Sequence, residues 1–116
     1  MGSDDCLFCR IVQRTLPAEI VAEEDGVLAF KDIHPQAPIH LLIIPTVHIP
    51  TVEHMTPSQT LLIGQMVQLG NRMAREYGLV KSGYRLVINC GVGAGQSVWH
   101  VHAHLLGGRP LQWPPG

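Results

Sequence analysis

Three histidines alternate with apolar residues near the carboxyl end of the chain, in the run His100-Val101-His102-Ala103-His104. Successive side chains of a β-strand point to opposite faces, so this alternation predicts a strand with three imidazoles on one face. Twice the rise per residue separates neighbouring imidazoles by about 6.5–7 Å. Two of the rings can therefore contact one phosphate group, while the apolar residues of the other face pack under a helix.

Such a row of imidazoles suits the cleavage of a phosphate ester or amide. The reaction needs a nucleophile aimed at phosphorus, donors for the phosphate oxygens and a proton for the leaving group. Neutral imidazole is a good nucleophile near neutral pH, because its unperturbed pKa is about 6.5. The glycine-rich turn at residues 91–95 can present backbone N–H groups to phosphate, and Ser97 adds a hydroxyl. Binding of a transition metal, or a solvated strand face, is the alternative interpretation of the histidines.

Two cysteines near the start of the chain form a second group of interest. Cys6 and Cys9 have C-x-x-C spacing, which is half of a zinc site, and His48 is a candidate for the other half. Cys90 stands alone, and we expect it to be a buried small residue. An odd number of cysteines in a reducing compartment favours free thiols or a metal over a disulfide. Two reduced thiols packed in the core are the alternative to zinc.

The composition is typical of one small globular domain. Of the 116 residues, 46% are hydrophobic, which is enough for a core, and the formal net charge is −1. Because no basic run exists, we expect neither a nucleic-acid partner nor binding to an anionic membrane. The sequence has no run of 18 apolar residues and no signal peptide, so it predicts a cytoplasmic protein.

Periodicity and turn signals divide the chain into two helices and five strands. We predict a short helix over residues 7–14, capped by Asp4 or Asp5. A long helix should start with a capping box at residues 56–59 and end at Gly78. The predicted strands cover residues 19–22, 27–32, 40–45, 84–89 and 98–106. This order favours an α+β domain with a mainly antiparallel sheet.

The histidine run, from His100 to Leu106, resembles the signature of the histidine-triad (HIT) superfamily, His-φ-His-φ-His-φ-φ, in which φ is apolar. The resemblance covers nearly the whole chain and implies a single HIT domain at residues 1–116. Four segments are similar to the Hint branch, the purine nucleoside phosphoramidases: Leu28-Ala29-Phe30-Lys31-Asp32-Ile33, Pro35-Gln36-Ala37-Pro38, Gly95-Gln96-Ser97-Val98, and the tail from Gly107 to Trp113-Pro114-Pro115-Gly116. The tail is the most specific to that branch.

The resemblance implies a role for each histidine of the triad. His102 would attack the α-phosphorus and form a nucleotidyl-histidine intermediate, which water then hydrolyses. His104 would contact the phosphate oxygens, and His100 would orient His102 through its backbone carbonyl. His40 matches an upstream histidine that supports the nucleophile by hydrogen bonding. The residues that match those holding the phosphate and the leaving group are Asn89, Gly95, Gln96 and Ser97.

The resemblance also implies a nucleotide pocket. Asp32 matches a carboxylate that binds the ribose, in accord with its ability to accept from two vicinal hydroxyls. The apolar slot for the base would be formed by Phe8, Ile11, Phe30 and Ile33. For these four residues, packing in the core is an equally natural interpretation. Lys31 adds a charge beside Asp32, and Ala103 is smaller than the apolar residue usual there, so both bear on substrate preference only.

A homodimer and a zinc site follow from the resemblance as well. Members of the branch are homodimers with one continuous sheet, and their tail reaches the partner's active site, so Trp113 would help define that leaving-group pocket. A hydrophobic plug on the surface is the alternative for Trp113. Some HIT relatives bind zinc through a set of four residues that corresponds here to Cys6, Cys9, His48 and His100. The zinc would be structural, and catalysis would need no cofactor.

The function implied is hydrolysis of the P–N bond of nucleoside 5′-phosphoramidates, such as an AMP–lysine conjugate, to a nucleoside monophosphate and an amine. Two alternatives stay open. One is the hydrolysis of dinucleoside polyphosphates, the specialty of another HIT branch, which the Trp113-Pro114-Pro115-Gly116 tail disfavours. The other is a non-enzymatic regulatory module that binds a nucleotide or zinc. For both enzymatic functions, the substrates are small nucleotide conjugates.

Overall fold

The computed structural model describes residues 5–116 and shows one five-stranded sheet with a helix against each face. The helices are α1 (Leu7–Val12) and α2 (Thr60–Glu76), and the strands are β1 (Ile20–Glu24), β2 (Val27–Lys31), β3 (Ile39–Pro45), β4 (Tyr84–Val87) and β5 (Ala103–Gly107). All neighbours are antiparallel, in the order β1-β2-β3-β5-β4. The predicted α+β class is confirmed, and the first four strands agree with prediction to within two residues at each end. No helix in the described range has the length and hydropathy to cross a membrane.

The two faces of the sheet bury different apolar sets, because side chains alternate along each strand. The face towards α2 packs against the apolar stripe of that helix. The buried strand residues of this face are Ala22, Val27, Ala29, Leu41, Ile43, Ala103 and Leu105. The face towards α1 contributes Leu28, Phe30, Leu42 and Ile44. The strands that carry His40 and His104 lie next to each other in the middle of the sheet, with Leu42 paired to His104. The site is therefore built on the α1 face.

The start of α1 differs from the prediction. Its cap is Cys6, whose Sγ accepts a hydrogen bond from the Cys9 N–H at 3.2 Å. The predicted cap at Asp5 is wrong, because the helix begins two residues after it, and Asp4 lies outside the described residues. The helix also ends at Val12, and Arg14 then adopts a left-handed φ of 64°, which is common just beyond a helix end.

The predicted capping box of the long helix is present, but it belongs to a 3₁₀ turn at Pro57–Gln59. Gln59 Oε1 accepts from the Thr56 N–H at 3.0 Å, and the α-helix itself begins at Thr60. Such turns are frequent at helix starts. The helix is followed by Gly78 with a φ of 72°, as predicted for its end.

The last strand is shorter than predicted, which changes the geometry of the histidines. Only Ala103–Gly107 forms β5. In the preceding segment, the Val101 N–H binds the Ile49 carbonyl at 2.6 Å, and the His100 ring binds the Pro45 carbonyl at 2.8 Å. These groups are therefore engaged outside the sheet, and the prediction of a strand is wrong for the five residues before β5.

Candidate active site and metal centre

The three imidazoles lie side by side on the α1 face, although only His104 belongs to a strand. The centroid of the His102 ring is 5.1 Å from that of His104. Phe8 of α1 packs edge-on against His102 at 5.1 Å and against His100 at 6.0 Å between ring centroids. His100 and His102 are buried and His104 is half-buried. Contacts between rings, rather than a shared strand, thus keep the triad together.

The backbone holds His102 in one tautomer. Its Nδ1 lies 2.8 Å from the His100 carbonyl oxygen, which can only accept, so Nδ1 carries the proton. Nε2 is then left with a free lone pair. Burial lowers the pKa of His102, against smaller opposing effects of the His100 hydrogen bond and the Asp32 charge. The ring is therefore neutral near pH 7, as a nucleophile must be.

A second chain of hydrogen bonds sets the tautomers of His40 and His104. The Gln36 N–H donates to His40 Nδ1 at 3.0 Å, so the proton of the neutral His40 ring lies on Nε2. That Nε2–H faces His104 Nδ1 at 2.9 Å, which leaves the proton of His104 on its own Nε2. Burial lowers the pKa of both rings, that of His104 to about 4. His40 Nε2 thus donates its hydrogen bond to His104 Nδ1. The neutral His104 ring can then donate its Nε2–H to a phosphate oxygen.

Asp32 lies beside this pair of rings. Its Oδ1 accepts from the His34 N–H at 2.7 Å, and its Oδ2 lies 3.3 Å from His40 Nε2. Ligand-type atoms of Asp32, His40 and His104 lie within 4.8 Å of one another, which is close enough for a metal ion. However, the His40 atom that would bind the ion is the one that carries the ring proton. We therefore interpret this cluster as a hydrogen-bond relay.

A mostly apolar cavity of about 350 Å³ opens in front of His102 and His104. Its lining includes Asp32, Ser97 and all four residues predicted for the base slot: Phe8, Ile11, Phe30 and Ile33. The first three of these four are also buried in the core, so both interpretations of them apply. Ile33 is 83% exposed and lies at the rim.

Several residues that line the cavity were missed by the sequence analysis, namely Leu7, Leu16, Pro17, Ala18, His34, Leu42 and Val98. Leu42 could have been found, because it is two residues from His40 in the same strand and therefore shares its face. The three residues at positions 16–18 lie in the loop after α1, where no periodicity marks a face.

The glycine-rich turn is braced from beneath by Gln96. Gly91 and Gly95 both have a φ of 93°, which glycine adopts without strain. The buried Gln96 amide accepts from the Gly91 N–H at 2.9 Å and donates to two backbone carbonyls at 2.8 and 3.0 Å. Because both ends of the amide are engaged, the Gln96 side chain holds the turn in shape. Of the four residues matched to phosphate and leaving-group positions, which include Asn89, only Ser97 lines the cavity.

Two arginines fasten the tail that follows β5. Arg109 donates to the Gln36 carbonyl, through Nε at 3.1 Å and through Nη2 at 2.9 Å. Arg85 donates to the Gln112 carbonyl at 2.8 Å. Trp113, which lies beyond both attachments, is 81% exposed and does not line the cavity of its own chain.

The four predicted zinc ligands converge between α1, the segment before β5 and the loop after β3. Their Sγ and ring nitrogen atoms lie within 4.8 Å of one another. The distance from Sγ to Nδ1 is 3.3 Å for Cys6 and His100, 3.3 Å for Cys9 and His48, and 3.5 Å for Cys9 and His100. A tetrahedral zinc ion has S···N edges of about 3.6 Å, from bonds of about 2.3 and 2.1 Å. These residues therefore fit a zinc ion.

The surroundings of the cluster suit a metal as well. His100 Nε2 donates to the Pro45 carbonyl at 2.8 Å, which leaves its Nδ1 lone pair facing the sulfur atoms. Burial lowers the pKa of His100 to about 4, so the ring is neutral and able to act as a ligand. Burial and the adjacent Cys6 raise the pKa of Cys9 to about 11, and only a bound cation would hold that thiol as a thiolate near pH 7. Four protein ligands and no open position would make the site structural.

Cys90 departs from expectation, whereas Lys31 does not. Cys90 is exposed, so the prediction that it is buried is wrong. It follows the end of β4, where the chain leaves the sheet, and the general tendency of cysteine to be buried does not apply there. Lys31 follows Phe30 and precedes Asp32 in the chain. Its ammonium forms an ion pair with Glu19 at 2.9 Å.

Comparison with known proteins agrees with this geometry. A family model described as the HIT domain matches residues 13–111. The chain is 43% identical over 109 residues to the purine nucleoside phosphoramidase of Escherichia coli strain K12, which covers 94% of this chain and 92% of that protein. A crystal structure of a HIT family hydrolase from Legionella pneumophila Philadelphia 1 has a TM-score of 0.93 and 49% identity, covering 96% of this chain and 99% of the other.

A third relative bears on the metal centre. The crystal structure of a Zn-bound histidine triad family protein from Mycobacterium smegmatis has a TM-score of 0.80 and 33% identity, over 93% of this chain and 78% of that chain. The family model spans the glycine-rich turn and the triad, and the identities extend over almost the full length. On the evidence of its sequence, its fold and its row of three imidazoles, this chain belongs to the HIT family.

Proposed function

We propose that this HIT-family protein hydrolyses purine nucleoside 5′-phosphoramidates to a nucleoside monophosphate and an amine. The observation that carries the proposal is the hydrogen bond from His102 Nδ1 to the His100 carbonyl, because it leaves an unprotonated Nε2 on a ring that lines the cavity. The similarity to the phosphoramidase of Escherichia coli supports the purine nucleoside and the P–N bond.

In the first step, His102 Nε2 forms a bond to the α-phosphorus while the P–N bond breaks. The leaving nitrogen takes the electron pair of that bond and one proton, for which the Ser97 hydroxyl and water at the open side of the cavity are the available sources. The ring becomes positively charged, and its Nδ1–H bond to the His100 carbonyl stabilises that charge. In the second step, a water oxygen joins phosphorus, the P–N bond to His102 breaks, and a proton is released.

The other residues of the cavity would bind the nucleotide. His104 Nε2–H donates to a phosphate oxygen, which is where charge develops during the transfer. Asp32 accepts from the ribose hydroxyls, and the base lies in the slot of four apolar residues at Phe8, Ile11, Phe30 and Ile33. A cavity of about 350 Å³ lies in the size range of small-molecule sites. By the family resemblance, Asn89 and Gly95 lie near the phosphate, and Gln96 acts by bracing the turn.

We also infer that a structural zinc ion is held by Cys6, Cys9, His48 and His100. When bound, it would link α1, and with it Phe8, to the segment that carries His102, and it would take no part in bond breaking. The family resemblance further supports a homodimer in which Trp113 reaches the active site of the other chain. Light scattering in solution tests this, and the mass of one chain at micromolar concentration would contradict it.

The proposed activity is tested by mixing the protein with adenosine 5′-phosphoramidate and a chelator and measuring AMP by chromatography. We expect His102→Ala to lower kcat by at least about 100-fold. His54→Ala is the matched control, because His54 is exposed and lies outside the cavity. Turnover by the unmodified protein no faster than by His102→Ala would contradict the proposal. Faster cleavage of diadenosine polyphosphates than of the phosphoramidate would favour the other HIT branch.

A further inference from the structure

The hydrogen-bond relay behind His104 continues beyond Gln36 to an arginine of the tail. Arg109 holds the carbonyl of Gln36, and the N–H of the same residue holds His40. We propose that Arg109 is a positioning residue of the active site, which acts through Gln36 and His40 to keep the Nε2–H of His104 available to the substrate phosphate. This inference rests on the proposed function for its kinetic part only.

The contacts of Arg109 suit a positioning role. Its Nε and Nη2 reach the same Gln36 carbonyl oxygen, and a rigid guanidinium with two donors on one acceptor restricts the place of that carbonyl. The Gln36 side chain adds a third constraint, because its Nε2 donates to the His34 carbonyl at 3.0 Å. Gln36 is thus held through its carbonyl and its side chain while its N–H faces His40 Nδ1.

The path of the tail provides separate support for this contact. Gly108 has a φ of 93°, and a Cβ at this position would lie 2.9 Å from Pro38 Cβ. The tail therefore crosses the loop between β2 and β3 in close contact, in a conformation that favours glycine. This crossing places the next residue, Arg109, directly over Gln36.

The Gln36 N–H matters because neutral His40 has two tautomers. With the N–H in place, Nδ1 accepts and Nε2–H donates to His104 Nδ1. Asp32 Oδ2, 3.3 Å from His40 Nε2, also favours a proton on that nitrogen. If the Gln36 N–H moves away, we therefore expect a mixture, in which the His40 proton lies on Nδ1 in part of the molecules and Nε2 becomes an acceptor there. His104 would then change tautomer and carry its proton on Nδ1, so that its Nε2 lone pair would face the phosphate. The contact with the substrate would change from a hydrogen bond to a repulsion.

Arg109 is not among the residues that line the cavity in the described part of the chain. Its loss should therefore leave the ribose and base contacts in place and act mainly on the chemical step. A change confined to kcat, with KM kept, distinguishes this role from general loosening of the pocket.

The experiment compares Arg109→Ala and Arg109→Lys with Arg85→Ala. Arg85 is the matched control, because it also ties the tail to the body through one backbone carbonyl but does not touch the loop that holds His40. For adenosine 5′-phosphoramidate, we expect Arg109→Ala to lower kcat about fivefold, the effect of one modest hydrogen bond, with KM within about twofold. Arg109→Lys should recover part of the loss, since an ammonium still donates. Arg85→Ala should lower kcat less than Arg109→Ala does, because it can act only through Trp113, the neighbour of Gln112, at the site of the other chain.

A second measurement reads the tautomer directly. Nitrogen-15 chemical shifts of the imidazole rings distinguish a protonated from an unprotonated Nδ1. We expect His40 to be protonated at Nε2 alone in the unmodified protein and in Arg85→Ala, and to be a mixture in Arg109→Ala. This readout does not depend on any substrate, so it still decides the inference if the protein proves to cleave no phosphoramidate.

Three results would overturn the inference. One is a kcat of Arg109→Ala equal to that of the unmodified protein. Another is a loss of kcat while His40 remains protonated at Nε2 alone. The third is an equal loss in Arg85→Ala, which would mean that any loosening of the tail has the same effect.

Discussion

Acid should destabilise this fold through its buried imidazoles, and His104 gives the sharpest test. Burial, followed by the charges of His102 and His40, lowers the pKa of His104 to about 4, whereas the pKa of the ring in the unfolded chain is about 6.5. Between these two values the unfolded chain binds a proton that the folded chain does not. The contribution of His104 to stability is therefore fully present above pH 6.5 and is lost as the pH falls towards 4.

The size of the effect follows from the shift and the exposure of the ring. A full lowering from 6.5 to about 4 corresponds to about 3 kcal/mol. Because His104 is only half-buried at the edge of the cavity, water screens part of this energy. We expect the substitution His104→Gln, which removes the titrating group, to make the acid-induced loss of unfolding free energy about 1–2 kcal/mol smaller.

Urea unfolding at pH 7 and at pH 4.5 measures this loss for each protein. A chelator in every sample keeps acid-driven release of zinc out of the comparison. His54→Gln is the control, because it removes an exposed histidine, and its loss should equal that of the unmodified protein. An equal acid-induced loss in His104→Gln and in the unmodified protein would refute the assignment of a depressed pKa to His104.

Two further predictions concern the metal centre and the helix against the sheet. A strong chelator should lower the melting temperature of the unmodified protein by at least about 4 °C. It should not change the melting temperature of Cys9→Ser, because that variant lacks a zinc ligand. Equal shifts in both proteins would contradict a zinc site at this place. Gly70→Ala should not stabilise the fold, because the added Cβ would lie 2.9 Å from Leu86 Cδ2 and 3.1 Å from Ile43 Cδ1, and moving these side-chain ends should offset the gain in helix propensity. In the same helix, Gly64→Ala meets no atom within 4 Å and should stabilise the fold by about 0.5–1 kcal/mol in urea unfolding, so a gain at both positions would contradict the close packing at Gly70.

Periodicity predicts the parts of this structure in which side-chain burial decides the conformation. The continuous apolar run of β3 is buried on both faces of the sheet, and the apolar stripe of α2 is buried on one side of the helix, so both patterns show directly in the sequence. The convergence of Cys6, Cys9, His48 and His100 came instead from the family resemblance, because the spacing of ligands from distant segments does not show that they meet.

Hydrogen bonds between rings and backbone decided the parts that periodicity did not predict. The alternation of histidines and apolar residues already begins at His100, whereas β5 begins only at Ala103. The sequence pattern shows which side chains are buried, but it does not show which backbone groups are paired. The cap at Cys6 was missed for a related reason: its buried thiol takes the place of the more usual carboxylate. The contact of Arg109 with Gln36 joins segments 73 residues apart, and neither residue lies in a repeating pattern.

The late start of β5 is what allows three like side chains to have different roles. His100, His102 and His104 carry the same ring at equal spacing, yet a carbonyl fixes the first two and the His40 ring fixes the third. His100 therefore turns an Nδ1 lone pair towards the cysteines, His102 keeps its lone pair on Nε2, and His104 keeps an N–H there. In a continued antiparallel ladder, the His100 carbonyl would face a neighbouring strand and be taken by its N–H. Because the chain joins β5 only at Ala103, the His100 carbonyl is available to orient His102, so the departure from regular strand geometry is part of how the site works.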